Sequence, residues 1–290
     1  MKKISYLLYR FLKFFDDLIF FIFKKKILIH FNDFFNQDFY DKVKINEKNT
    51  IFFSPNPVIN WRVKSLYSKE PETLEWINSF DKNNNNIFWD IGANIGLYSI
   101  YAAQKHDNLK IISFEPSTSN LRVLSRNISI NNLQDKITIN QIPLNDKENI
   151  HVPMYEPEFI EGWAMNSYGS PTDYEGKNFQ AKQKYNLFGT NINFLLDNNI
   201  LKIPNYIKID VDGIEDLVLR GAKNLLKDNN LKELSIEMNP TNLEQYKFIN
   251  KFMEENSFKQ MISTNSRLLN DKDYKLGLNE IVNVIFKRDN

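Results

Sequence analysis

Along residues 1–30, Ile4, Leu8, Phe11, Phe15, Leu18 and Ile22 recur at alternating spacings of four and three, which predicts an amphipathic helix. Lys2, Lys3, Arg10, Lys13, Asp17 and Lys24 fall broadly opposite that stripe. Residues 31–50 show no clear period, and 51–61 read as short extended pieces broken by Pro55 and Pro57. Pro71, between Glu70 and Glu72, marks a helix start. Beyond the asparagine run Asn83–Asn86 the pattern alternates. Strands are expected at Ile87–Ile91, Ile111–Phe114, Ile137–Ile142, Tyr206–Ile209 and Leu234–Met238. Helical faces separate them: Leu97–Ala103, Leu121–Ile128 opened by Ser117, Ile214–Leu225 and Leu243–Met253. Two final strands, near Met261 and from Ile281 to Phe286, are expected to pair antiparallel.

Strand and helix in alternation imply a mainly parallel sheet covered on both faces, an α/β class. The chain divides into an N-terminal helical segment (1–50), a cap or lid segment (51–82) and a domain from 83 to 290. Within that domain the polar stretch 143–205 breaks the rhythm. It holds strand-like fragments at Val152–Tyr155 and Asn191–Phe194, and an insertion of this length between sheet strands points to function or mobility.

Composition narrows the field. At 290 residues with 42% hydrophobic and 25% charged side chains, the chain can hold a sizeable core. A net charge of +1 removes the electrostatic warrant for nucleic acid. The absence of cysteine excludes disulfides and thiolate sites and fits a reducing, cytoplasmic compartment. Three histidines leave little for a histidine-built metal centre, and no metal ligand set is assigned. The N-terminal stripe is interrupted by Arg10, Lys13, Asp16 and Asp17, too often for a membrane span. Two readings of it stand: packing on the domain or a partner copy, and peripheral contact of residues 1–30 with the inner face of a membrane, with Lys24, Lys25 and Lys26 at its edge.

The nine glycines are rationed, and four of them (Gly92, Gly96, Gly213, Gly221) sit in two short segments attached to strand-like runs. In Asp90-Ile91-Gly92-Ala93-Asn94-Ile95-Gly96 a strand enters a turn, and the glycines are expected to let backbone approach a ligand closely. The spacing is not the G-x-G-x-x-G of a dinucleotide phosphate loop. Its acidic lip suits a ligand bearing an amine or sulfonium better than a pyrophosphate. Glu115 ends the next strand, where a carboxylate can accept from both hydroxyls of a ribose. Asp210 ends a third strand and should face the same crevice, while Lys208 alternates with apolar strand residues and reads as structural.

WDIGANIGLYSIYAA, ISFEP, YIKIDVDGIEDLVLRGA and the upstream WRVKSLYSKEPETLEWI together resemble the FkbM family of S-adenosylmethionine-dependent methyltransferases over roughly residues 51–240. The resemblance implies a class I methyltransferase, Rossmann-like sheet of seven strands with the last pair antiparallel. It implies that Asp90, Gly92, Ala93, Asn94 and Gly96 wrap the methionine part of the cofactor and that Glu115 holds its ribose. It also implies a small-molecule or glycan acceptor, such as a polysaccharide or lipid-linked precursor, methylated on oxygen. Trp61, Arg62 and Glu70 become lid candidates on the same ground. Asp212 stands where many relatives carry glutamate, and neither 143–205 nor the N-terminal helix aligns.

For the chemistry, Asp210 and Asp212 are the candidates beside the reacting methyl, orienting the cofactor or taking the acceptor's proton. With Glu215 they could also surround a divalent ion. His151 lies near the expected crevice, and a structural or surface role is expected for it rather than that of the base. Two other readings remain: a metal-dependent glycosyltransferase using Asp210-Val-Asp212 as an Asp-x-Asp pair, which leaves the Asp90–Gly96 turn unexplained, and a non-catalytic cofactor-binding interaction module.

Overall fold

The computed structural model describes residues 1–172, 177–261 and 281–289. The N-terminal stripe forms α1 (Lys2–Phe23), which turns through a left-handed Lys24 into α2 (Leu28–Asp38). Asp16 joins the two helices. Its Oδ1 accepts from the amides of Ile27 (2.6 Å) and Leu28 (3.0 Å), donors at the start of α2 that have no partner within their own helix. No residue of α2 is buried, so no period marks it in the sequence.

β1 (Tyr40–Ile45) and β2 (Lys48–Phe53) then form an antiparallel hairpin around Asn46 and Glu47, both left-handed. The expected extended stretch at 51–61 ends early. Pro57 takes the first position of α3 (Pro57–Lys64), and Asn56 caps it by accepting from Val58 and Ile59 at 3.0 Å. Pro71 opens α4 (Pro71–Asn78) as expected.

The alternating region follows its pattern closely. β3 (Ile87–Ile91) leads to α5 (Leu97–Lys105), then β4 (Lys110–Phe114), α6 (Thr118–Ile130) capped by Ser117, and β5 (Ile137–Asn140). The long interruption builds a small antiparallel sheet of its own from β6 (Ile150–Glu156), β7 (Ser167–Tyr168) and β8 (Gln183–Gly189), in the order β7-β6-β8. Val152–Tyr155 lies in β6. Asn191–Phe194 is not a strand: the Asn191 side chain accepts from the Phe194 amide and caps α7 (Ile192–Asp197).

β9 (Tyr206–Ile209), α8 (Glu215–Arg220), β10 (Glu233–Met238), α9 (Leu243–Glu255), β11 (Phe258–Met261) and β12 (Val282–Arg288) complete the fold. α8 is shorter than the expected face from Ile214 to Leu225. At Gly221 the chain presses on a neighbouring loop, where an added Cβ would lie 2.3 Å from the Asn145 carbonyl oxygen.

Seven strands form one sheet in the order β11-β12-β10-β9-β3-β4-β5. The five from β10 to β5 run parallel, and β12 is antiparallel to both its neighbours. Two apolar cores cover its faces. Phe88 and Tyr206 belong to the core beneath α4, α5, α6 and the β1–β2 hairpin. Trp89, Ile207 and Ile209 belong to the core with α7, α8 and α9. Burying each such side chain contributes about 1.5–3 kcal/mol.

Candidate active site

Strand order reverses between β3 and β9, the place where an open parallel sheet forms a crevice at its carboxyl ends. A cavity of about 360 Å³ opens there, large enough for a small molecule. The turns after β3, β4 and β9 supply Gly92, Asn94, Glu115, Asp210 and Asp212; β10 supplies Glu237, and Trp61, Arg62, Lys69 and Trp163 complete the wall. Asp90, Ala93 and Gly96 lie behind this surface rather than in it.

The turn after β3 contains three left-handed residues, Gly92 (φ 87°), Asn94 (φ 50°) and Gly96 (φ 85°). A Cβ on Gly92 would stand 1.7 Å from the carbonyl oxygen of Asp210, and one on Gly96 would stand 2.5 Å from Leu124 Cδ1. The close approach that glycine permits here is therefore of the chain to itself. The amides of Gly92 and Ala93 both donate to the Phe114 carbonyl, at 3.0 and 2.9 Å, so the turn hangs from the end of β4.

Glu115 is only 5% exposed and draws the same turn in. Its carboxylate accepts from the amides of Asn94 (2.7 Å) and Ser117 (2.8 Å). Burial nevertheless pushes its carboxyl up to about 7, a group that further hydroxyl donors would help to hold ionised. Asn94 donates through its side chain to the Trp163 carbonyl at 3.1 Å, and its buried Oδ1 has no hydrogen-bond partner among the described residues.

A polar row crosses the sheet below the cavity: Ser235, Lys208, Asp90 and Ser113 occupy adjacent registers of β10, β9, β3 and β4. Ser99 of α5 donates to Asp90 Oδ2 at 2.5 Å and lies 2.7 Å from the Ser113 hydroxyl. Asp90 Oδ1 is buried without a partner among the described residues, and burial raises its carboxyl above the ordinary value. Lys208, 1% exposed, lies 2.5 Å from Asp210 Oδ2 and over the ring of Tyr98. Burial alone would discharge this lysine, but Asp210, Glu70 and Asp90 hold it charged above the usual lysine range.

Burial opposes charge on Asp210 as well, yet Lys208, Lys69 and Arg62 keep its carboxyl below the ordinary value. Asp212 behaves differently. Left-handed at φ 57°, it accepts from the Met165 amide at 2.7 Å, and burial together with Asp210 pushes it up to about 6. Glu215 turns away to brace the loop after β9: Oε1 accepts from the amides of Val211 and Gly213, both at 3.1 Å, and Oε2 from Gln245 at 3.3 Å.

Among the described residues, the carboxylates that converge are Glu70, Asp210 and Glu237, whose oxygens lie within 4.8 Å of one another, and not the trio Asp210, Asp212 and Glu215. Glu237 escaped the sequence reading because alternation along β10 marks only its apolar partners. Burial and the acids Asp210, Asp212 and Glu215 raise its carboxyl well above the usual range. Of the lid candidates, Trp61 and Arg62 reach the cavity wall, with Arg62 Nε donating to the Gly162 carbonyl at 2.6 Å, while Glu70 is buried beside Lys69. His151 is exposed on β6, against Phe188.

A seven-stranded sheet with this order and its reversal beside an acidic, glycine-bearing turn is the class I methyltransferase fold. A model of the methyltransferase FkbM domain matches residues 90–260, more than half of the chain, and the protein belongs to that family. Over 42 residues, 14% of this chain and 16% of the other, it is 50% identical to Methyltransferase sdnD of Sordaria araneosa. Among solved structures it is similar to methyltransferase FkbM from Methylobacillus flagellatus, at 15% identity and a TM-score of 0.45, over 79% of this chain and 52% of that one. It is also similar to M. capricolum TrmK, solved with S-adenosyl-homocysteine, at 10% identity and a TM-score of 0.40, over 74% of this chain and 67% of that one. The chain thus spans about half the length of the Methylobacillus protein and a smaller part of the fungal one.

Proposed function

We propose that this protein transfers a methyl group from S-adenosylmethionine to a hydroxyl of a sugar or glycoconjugate. The observation that carries the reading is the cavity between the Gly92–Asn94 turn and Glu115, with its partnerless buried acceptor at Asn94 Oδ1. These residues fit the cofactor. The unpartnered amide oxygen suits the ammonium of the methionine part, and the Glu115 carboxylate suits ribose hydroxyls. Ile91, Phe114 and Ile142 offer apolar wall to a base. When bound, the cofactor supplies an electrophilic methyl on a sulfonium.

The chain's own residues do the rest. Holding an acceptor oxygen in line can supply about 7–11 kcal/mol of the barrier. Asp210, kept ionised by Lys208, sets a fixed negative charge at the cavity floor. Asp212, with its carboxyl near 6, is the base that takes the hydroxyl proton at neutral pH. Trp61, half exposed at the mouth, and Trp163 offer aromatic faces to the C–H face of a sugar ring, while the acids accept from its hydroxyls. A cysteine-free chain acting on such precursors fits the cytoplasm.

Titration calorimetry with S-adenosylmethionine, followed by incubation with candidate sugar nucleotides and mass detection of an added methyl, tests the proposal. Glu115→Ala should abolish cofactor binding. Asp212→Asn should retain it and lower kcat by about 10²–10⁴-fold. A wild-type chain that binds no S-adenosylmethionine would overturn the reading.

A further inference from the structure

Among the described residues, a large apolar surface lies outside the cavity, on α1. Leu7, Phe11, Phe14, Leu18 and Phe21 run along one side of α1 and are all exposed, with Phe21 at 76%. Residues 1–30 also hold seven lysines and arginines against two aspartates, one of which, Asp16, is turned inward onto the start of α2. The segment therefore carries five net positive charges. Since the whole chain carries +1, the remainder carries four negative ones. The basic groups adjoin the aromatic surface: Lys24 lies 5.6 Å from the ring centroid of Phe21, and Lys26 lies 5.4 Å from that of Phe20. α1 reaches the domain through α2, whose first amides Asp16 holds and whose Asn36 carbonyl accepts from Arg126 of α6 at 2.7 Å.

From these observations we infer that α1 and the Lys24–Lys26 turn seat the protein on an anionic lipid surface. Aromatic and aliphatic side chains enter the headgroup boundary while lysines at the edge meet lipid phosphates. Among the described residues no helix is long and apolar enough to cross a membrane, so α1 lies in the interface. Charge selects this occupant over a second copy of the chain, because pairing two such faces would bring two surpluses of five positive charges together. The inference is independent of the methyl-transfer reading.

Flotation of the full chain with phosphatidylcholine vesicles, with and without phosphatidylglycerol, tests it. The protein should rise with the anionic vesicles and be recovered about tenfold less with neutral ones, and K24Q/K25Q/K26Q should lose about as much on the anionic ones. F14S/F21S should abolish recovery while melting as cooperatively as the wild type. Recovery independent of anionic lipid would overturn the inference. So would a dimer in sedimentation that F14S/F21S splits, since the face would then belong to a second copy.

Discussion

Gly92 is the residue where the turns after β3 and β9 press backbone against backbone. With its φ at 87° and the Asp210 carbonyl occupying the space a Cβ would need, no side chain can be added without moving one turn or the other. Gly92→Ala should therefore destabilise the protein by about 3 kcal/mol or more and weaken cofactor binding, as read by urea unfolding and calorimetry. Lys208 is the other fixed point. Its ammonium is buried among Asp210, Asp90 and Glu70, so Lys208→Met leaves like charges facing one another. Breaking such a pair costs about 3–5 kcal/mol, and the double variant K208M/D210N should recover part of that loss in the same unfolding experiment.

At the level of elements, β2 shows how side chains can close a strand edge. Asn127 of α6 accepts from the Phe53 amide at 2.8 Å and donates to the Ile95 carbonyl at 2.9 Å; Asn131 accepts from the Ile51 amide and donates to its carbonyl. Asn127→Ala would leave a buried amide and a buried carbonyl unpaired, and thermal melting should show a loss of about 2–3 kcal/mol. Glu47, left-handed in the preceding hairpin turn, should respond in the opposite sense. Glu47→Gly is expected to stabilise by about 0.5–1 kcal/mol, because this turn type favours glycine there. These elements also show what a sequence can reveal. β3, β4 and β9 were legible because each is a short apolar run followed by a capped or glycine-marked turn, as with Ser117. α2 was not, since none of its residues faces the core, and Asn191 read as strand because a cap followed by Ile192 resembles an apolar run. Of the site, the turn from Asp90 to Gly96, Glu115 and Asp210 stood out by glycine spacing and strand ends. Glu237, Lys69 and Trp163 come to the cavity only through long-range folding, and no local pattern marks them.

Across the whole molecule, buried acids govern the response to pH. Glu115 and Glu215 are raised from 4.5 to about 7 and Asp212 from 3.8 to about 6, in each case chiefly by burial. Between those limits the folded chain holds protons that the unfolded chain has released, so these three groups make stability fall as pH rises from about 4.5 to 7, and their own contribution levels off above. Each such proton contributes at most about 1.4 kcal/mol per pH unit, and denaturant titrations at pH 5.5 and 8 should show the difference. Glu237→Gln should stabilise at pH 8 and do little at pH 5, because it removes a carboxyl that folding keeps protonated. The backbone contact between Gly92 and Asp210 has a further consequence. Where main chain abuts main chain, no exchange of side chains can shift the turns after β3 and β9 against each other. Changes in which molecules the cleft admits are thereby expected in its side chains, with Trp61, Trp163 and the small sheet that carries Tyr168 as its walls, while the spacing of the two turns stays fixed.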